Sequence, residues 1–240
     1  MRYLAACCDV VHCGLRGFTR ALYDRLDLRC TGMEFATEMI IKASLYGEPI
    51  TEVPITLHPD GRRSHPPHLK TFRDGWRTLR FFLLYSPRRL FLTPGLLLIA
   101  LGLLGYGVAL PGLTLGGLTF DAHTLLFASL GLLCGYQSLL FALLAKTFAV
   151  SERLMPPDPR LRRLLGILTL ERCLLAGALA LLVGLGLLGG AINQWRSVDF
   201  GRLNYAHTMR WAIPGATLTA LGVQTVLSSF FVSILQLRRR

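Results

Sequence analysis

The chain has 240 residues, is 52% hydrophobic and carries a formal net charge of +12. An even spread of those apolar residues would suit a soluble domain, but the charges crowd into the first ninety positions and a few connectors, which excludes an ordinary soluble fold. The basic excess lies on Arg after Asp60, beside and between apolar runs, so it points to a phosphate-bearing membrane surface or lipid and not to nucleic acid.

In chain order, Met1 to Cys8 is too short for the apolar core of a secretory signal, and Asp9 follows at once. The six cysteines, at positions 7, 8, 13, 30, 134 and 173, have neither metal-site nor disulfide spacing and read as reduced, structural thiols. Phe35, Met39 and Ala43 recur at four-residue spacing, which predicts a helix over Gly32–Tyr46 that Gly47 stops. Alternating Val53, Ile55 and Leu57 predict a strand over Ile50–Leu57, with Pro54 confining it to an edge. A turn-rich basic loop, His58 to Lys70, follows. Trp76, Leu79, Phe82 and Leu83 then interleave at helical spacing with Arg73, Arg77 and Arg80, the pattern of an interfacial amphipathic helix within residues 71–89.

Four segments without Asp, Glu, Lys, Arg or His reach the about 20 residues that a helix needs to cross hydrocarbon. They are Leu90–Leu110, Thr124–Ala145, Cys173–Trp195 and Trp211–Leu237. Lys and Arg number seventeen on the side of residues 62–89, 146–172 and 238–240, against three in the other connectors, which places both termini in the cytoplasm by the positive-inside bias. Glycines such as Gly102, Gly105, Gly184 and Gly190 recur in the spans; they serve ordinary helix packing or a homo-oligomer contact, and the sequence leaves both open. The expectation is a mainly α membrane protein: residues 1–70 as a water-facing part, 71–89 at the interface, and 90–240 in the membrane.

Cys13-Gly-Leu-Arg-Gly-Phe18, Gly32-Met-Glu-Phe-Ala-Thr-Glu-Met39, Glu52-Val-Pro-Ile55 and the run from Gly61-Arg62 to Trp76 resemble family 2 glycosyltransferases. The group most similar is the polyprenyl-phosphate type, akin to dolichol-phosphate mannose or glucose synthases. The resemblance implies a partial α/β, GT-A-like catalytic segment ahead of the spans. It also implies transfer of a sugar from a nucleotide sugar to polyprenyl phosphate at the cytoplasmic face of the inner (plasma) membrane. A lipid phosphate is already ionised near neutral pH, so it needs a cationic cradle more than a strong base. Arg62, Arg63, His68, Lys70 and Arg73 are the expected cradle, with Arg16 in the matching Cys-Gly-Leu-Arg stretch. Glu38 is placed at the acceptor side of the catalytic cleft and Asp9 in the family's acidic neighbourhood. For Glu34, Glu38 and Lys42, the spacing by itself reads as a solvated ladder ending in an ion pair.

The resemblance also sets an expectation of incompleteness. Family members hold a divalent ion (Mg or Mn) against the donor diphosphate with an Asp-X-Asp pair, and no Asp-X-Asp occurs in this sequence. The reading is therefore a carboxyl-terminal part that takes a nucleotide sugar only when a donor-binding half is supplied. The alternative is a non-catalytic membrane anchor or lipid-carrier module beside a separate catalytic subunit. A transporter fits poorly, because no ionisable residue interrupts a span.

Overall fold

The computed structural model describes residues 15–30, 33–56, 72–73, 75–76, 86, 88–115, 117–152, 154–202 and 204–236. The chain divides into two compact units, Met1–Ser86 with Glu152–Pro157, and Pro87–Ser151 with Asp158–Arg240.

In the first unit, α1 (Arg20–Leu26) starts where the Thr19 hydroxyl accepts the Leu22 N–H and ends at Asp27, whose left-handed backbone (φ 45°) an Asp side chain tolerates. The predicted helix forms as α2 (Met33–Tyr46). Gly47 takes φ +72°, and the Glu48 N–H reaches back to the Ala43 carbonyl at 2.9 Å, a glycine-ended stop of the expected kind. Leu26, Met39 and Ala43 form a small core, with Leu22, Leu28, Phe35, Tyr46 and Ile50 packed around it. Arg25 and Glu48 join the two helix ends at 2.5 Å.

The strand expected over Ile50–Leu57 is not formed at residues 50–56. Val53 is 76% exposed and Ile55 51%. A strand exists as part of a ladder, no described residue pairs with this one, and Pro54 has no N–H to offer. Residues 72–73 and 75–76 are helical and exposed; the rest of the segment expected to form the interfacial helix, as far as Tyr85, lies outside the described residues.

The second unit holds four helices long and apolar enough to cross a membrane. A π-turn over Arg88–Leu92 leads into α3 (Thr93–Ala109), where Pro94 sits in the first turn and needs no N–H donor. A two-residue antiparallel pair, β1 (Thr114–Leu115) with β2 (Leu118–Thr119), turns the chain. Then come α4 (Ala122–Ser151), the short α5 (Pro159–Ile167), α6 (Leu170–Arg196) and α7 (Tyr205–Gln236). With Arg88–Leu92 counted into the first, the four run 22, 30, 27 and 32 residues. At about 1.5 Å per residue each exceeds the roughly 30 Å hydrocarbon core. Large apolar side chains point outward along them, among them Leu97, Leu104, Phe127, Leu175, Leu182 and Leu227, each more than half exposed. In water such a surface would aggregate, whereas hydrocarbon suits it. The chain is thus a mainly α, multi-pass membrane protein.

Glycine seams set the packing. A Cβ on Gly95 would meet the Gly135 carbonyl at 2.9 Å and one on Gly102 the Ala128 carbonyl at 2.8 Å, so α3 and α4 run antiparallel in a seven-residue register. Gly177 against Gly222 and Gly184 against Gly215 repeat that device between α6 and α7, with backbone oxygens 2.8–3.1 Å from the would-be Cβ positions. Small residues let backbones approach, which in lipid replaces the missing hydrophobic drive. The α4 helix also packs along α7, giving the order α3, α4, α7, α6. Tyr106 Oη lies 2.7 Å from Ser129 Oγ and donates to Thr217 Oγ1 at 3.1 Å, while Tyr136 Oη and Thr225 Oγ1 are 2.6 Å apart. Since Thr225 also donates to the Leu221 carbonyl at 2.7 Å, Tyr136→Phe should cost only about 0.6 kcal/mol. Reversible unfolding in mixed micelles measures it.

Candidate functional site

Among the expected site residues, Arg16, Glu38 and Arg73 are described; Asp9, Arg62, Arg63, His68 and Lys70 lie outside the described residues. Arg73 stands on an exposed helical stretch. Arg16 Nη1 donates to the Ala36 carbonyl at 2.6 Å, which ties the Cys-Gly-Leu-Arg stretch to α2 two residues before Glu38.

Glu38 and Lys42 are both 0% exposed, so the solvated ladder suggested by their spacing is not what folds. Lys42 Nζ lies 2.8 Å from Glu38 Oε1 and donates to the Asp27 carbonyl at 2.6 Å. The other oxygen, Glu38 Oε2, accepts the Arg29 N–H at 3.0 Å and the Cys30 N–H at 2.8 Å. The Asp27 carboxylate in turn takes Arg29 Nη2 at 2.8 Å and Nε at 3.1 Å. One buried ion pair therefore fixes the backbone from Asp27 to Cys30 at three points and leaves the Arg29 side chain about half exposed, at 47%. Each group here follows from local sequence: the left-handed Asp27 ends α1, and one helical turn puts Glu38 and Lys42 on the same side of α2.

Burial by itself would raise the Glu38 carboxyl, yet the hydrogen bonds from Lys42, Cys30 N–H and Arg29 N–H outweigh it and hold the group below the usual carboxylate range. The carboxylate is ionised at neutral pH with both oxygens engaged. Such a group positions its neighbours; it is not poised to take a proton. Burial, and then the negative charge of Glu38, pushes the Cys30 thiol up to about 11, so the thiol stays protonated and non-nucleophilic. Cys30, Cys134 and Cys173 are free.

No group of three His, Cys, Asp or Glu that could hold a metal ion occurs among the described residues, and the buried carboxylate is already neutralised by Lys42. The described residues do not fit a divalent-ion site. Sequence reasoning located Glu38 and Lys42 but missed the Arg29 and Cys30 N–H donors; a helix that ends at an Asp eleven residues ahead of Glu38 is the signal that would have found them.

Residues 143–236, from the end of α4 through α7, match the model of the glycosyltransferase family 2 C-terminal transmembrane region. Over 224 residues, 93% of this chain, the sequence is 34% identical to the low-salt glycan biosynthesis hexosyltransferase Agl6 of Haloferax volcanii, of which those residues make up 52%. The chain spans about half the length of that curated relative. No solved structure matches. The resemblance read from the motifs of the first ninety residues and the match in the membrane unit point the same way: the chain carries a family 2 glycosyltransferase C-terminal transmembrane region behind a segment that resembles the same family.

Proposed function

We propose that the chain is the acceptor and membrane part of a glycosyltransferase that moves a hexose from a nucleotide sugar to polyprenyl phosphate at the cytoplasmic face. The observation that carries this reading is the likeness, along nearly the whole chain, to a protein named as a hexosyltransferase. The four lipid-facing helices support it, as does the Arg-rich stretch 62–89 that joins the two units in sequence. Arg62, Arg63, His68, Lys70 and Arg73 supply positive charge for the lipid phosphate, with bidentate Arg contacts favoured. Glu38, through Lys42, holds the Asp27–Cys30 segment and so acts as a positioning residue, and Arg16 secures the preceding stretch to the same helix. The Lys and Arg distribution supports a cytoplasmic position for both termini. A donor-binding half, with its divalent ion, completes the enzyme.

The test uses membranes containing the chain, a radiolabelled nucleotide hexose and polyprenyl phosphate, with and without a separately expressed donor-binding half plus Mg or Mn. Lipid-linked label in the complemented arm is expected. Label with the chain alone upholds the transferase reading and removes the need for a second half, and no label under any combination contradicts the proposal. In the active combination, Arg62→Ala with Arg63→Ala should lower transfer at least about tenfold, since two charge-assisted phosphate contacts are lost, while membrane insertion is unchanged. Equal loss of transfer and insertion would favour a second reading, a non-catalytic anchor, toward which the confinement of the family match to residues 143–236 points.

A further inference from the structure

The connector between α4 and α6 folds as a helix, and its faces are unequally used. Asp158 caps it by accepting the Arg160 N–H at 2.8 Å and is paired with Lys146 on α4. That Lys146 hydrogen bond chiefly holds the Asp158 carboxyl below its usual range. Leu161 is 6% exposed, and Leu165 and Leu168 on the same side are half-buried. The other long face is made of positions 160, 163, 164 and 167, spaced i, i+3, i+4, i+7. All four are exposed: two are Arg, and the others are Leu164 at 44% and Ile167 at 56%.

We propose that this face of α5 is an interfacial site for anionic phospholipid head groups, with Leu164 and Ile167 dipping into the acyl boundary and Arg160 and Arg163 on the phosphates. Three features select a lipid surface as the occupant. The helix is bracketed by two spans, beginning eight residues after α4 ends and stopping three residues before α6 starts, which keeps it at the depth where hydrocarbon meets head groups. Arg172 Nη1 donates to the Ile167 carbonyl at 3.3 Å, which fastens the end of α5 to the first turn of α6. Arg and apolar residues also share one outward face, the composition of helices that lie in the interface, where each basic side chain gains from anionic lipid. A soluble partner would gain from the same charges but not from that depth. The proposal does not depend on the glycosyltransferase reading.

The test places a tryptophan reporter, Ile167→Trp, in the full chain with Trp76, Trp195 and Trp211 changed to Phe, reconstituted into vesicles of phosphatidylcholine or phosphatidylglycerol brominated near the head group. Quenching is expected in both, and at least about twofold stronger with phosphatidylglycerol. Arg160→Gln with Arg163→Gln should bring the ratio to about one, whereas Arg162→Gln, on a different face, should leave it in place. Absence of quenching, equal quenching by the two lipids, or an equal effect of Arg162→Gln would overturn the proposal. Should the reporter chain fail to fold, spin-labelled phosphatidylglycerol and phosphatidylcholine read the same preference on the chain with its native tryptophans, with the same three Arg variants and the same criteria.

Discussion

Lys42→Met should destabilise the first unit by about 3–5 kcal/mol, the usual loss when one member of a buried pair is removed and the other charge stays behind. Both side chains are shut off from water, so no solvent can replace Lys42. The Asp27 carbonyl loses its donor as well. Glu38→Gln combined with Lys42→Met should recover about half of the loss, because a neutral amide oxygen can still accept the Arg29 and Cys30 N–H bonds without stranding a charge. Limited proteolysis of the membrane-embedded chain, following cleavage within residues 15–56, reports the order wild type, double variant, Lys42→Met. The pH dependence has a fixed sign. The Glu38 pKa is depressed on folding, so its contribution is fully present above the unfolded value near 4.3 and declines as pH falls through the lower folded value. In Lys42→Met the desolvation of Glu38 loses its main opponent, and protection should begin to change at a higher pH than in the wild type.

Gly184→Leu should be the most damaging single change in the membrane unit. Even a methyl group there would lie 2.6 Å from the Thr219 nitrogen and 2.8 Å from the Gly215 carbonyl oxygen, backbone atoms that cannot swing aside. The α6 and α7 helices must separate, opening contacts along the whole seam at a cost of about 3 kcal/mol or more. Gly186→Leu, two residues away with nothing within 4 Å of its would-be Cβ, should stay within about 0.5 kcal/mol. Unfolding by increasing SDS in mixed micelles gives both numbers, and similar losses at the two positions would refute the seam.

The membrane part was legible because hydrocarbon imposes a simple rule: long runs free of charge become helices. The helices nevertheless overrun the apolar runs. The third begins at Leu170, not Cys173, because Thr169 caps it through the Arg172 N–H, and the fourth begins at Tyr205, six residues ahead of Trp211. Polar caps and interfacial turns continue a helix where hydropathy has already fallen. The α5 helix escaped notice although Asp158-Pro159 is a helix start in miniature, a capping carboxylate followed by a proline whose missing N–H costs nothing. The hairpin turn at Gly117, with φ +85°, likewise escaped notice, although a Gly-Gly pair between Thr114-Leu115 and Leu118-Thr119 is a turn signal.

The first unit was harder to read for a physical reason. Spacing told that Glu38 and Lys42 could meet, but burial depends on what covers a helix, and the cover includes the Asp27–Cys30 backbone, whose donors are marked only indirectly, by the helix end at Asp27. Alternation at Val53 and Ile55 likewise signalled a strand, yet a strand is a property of two segments and one sequence stretch cannot supply the second. The glycines were ambiguous between self-association and internal packing, and the pairs Gly95 with Gly135 and Gly184 with Gly215 serve internal packing.

The proposed role stands on recognition of a lipid phosphate, and photo-crosslinking tests it most directly. Membranes holding the full chain would be irradiated with a photoactivatable polyprenyl phosphate, and the labelled peptides mapped. The account predicts label within residues 62–89, displaced by unlabelled polyprenyl phosphate but not by the same concentration of phosphatidylglycerol, and lost on Arg62→Ala with Arg63→Ala. Label spread evenly over the spans, or displaced equally by phosphatidylglycerol, would contradict it.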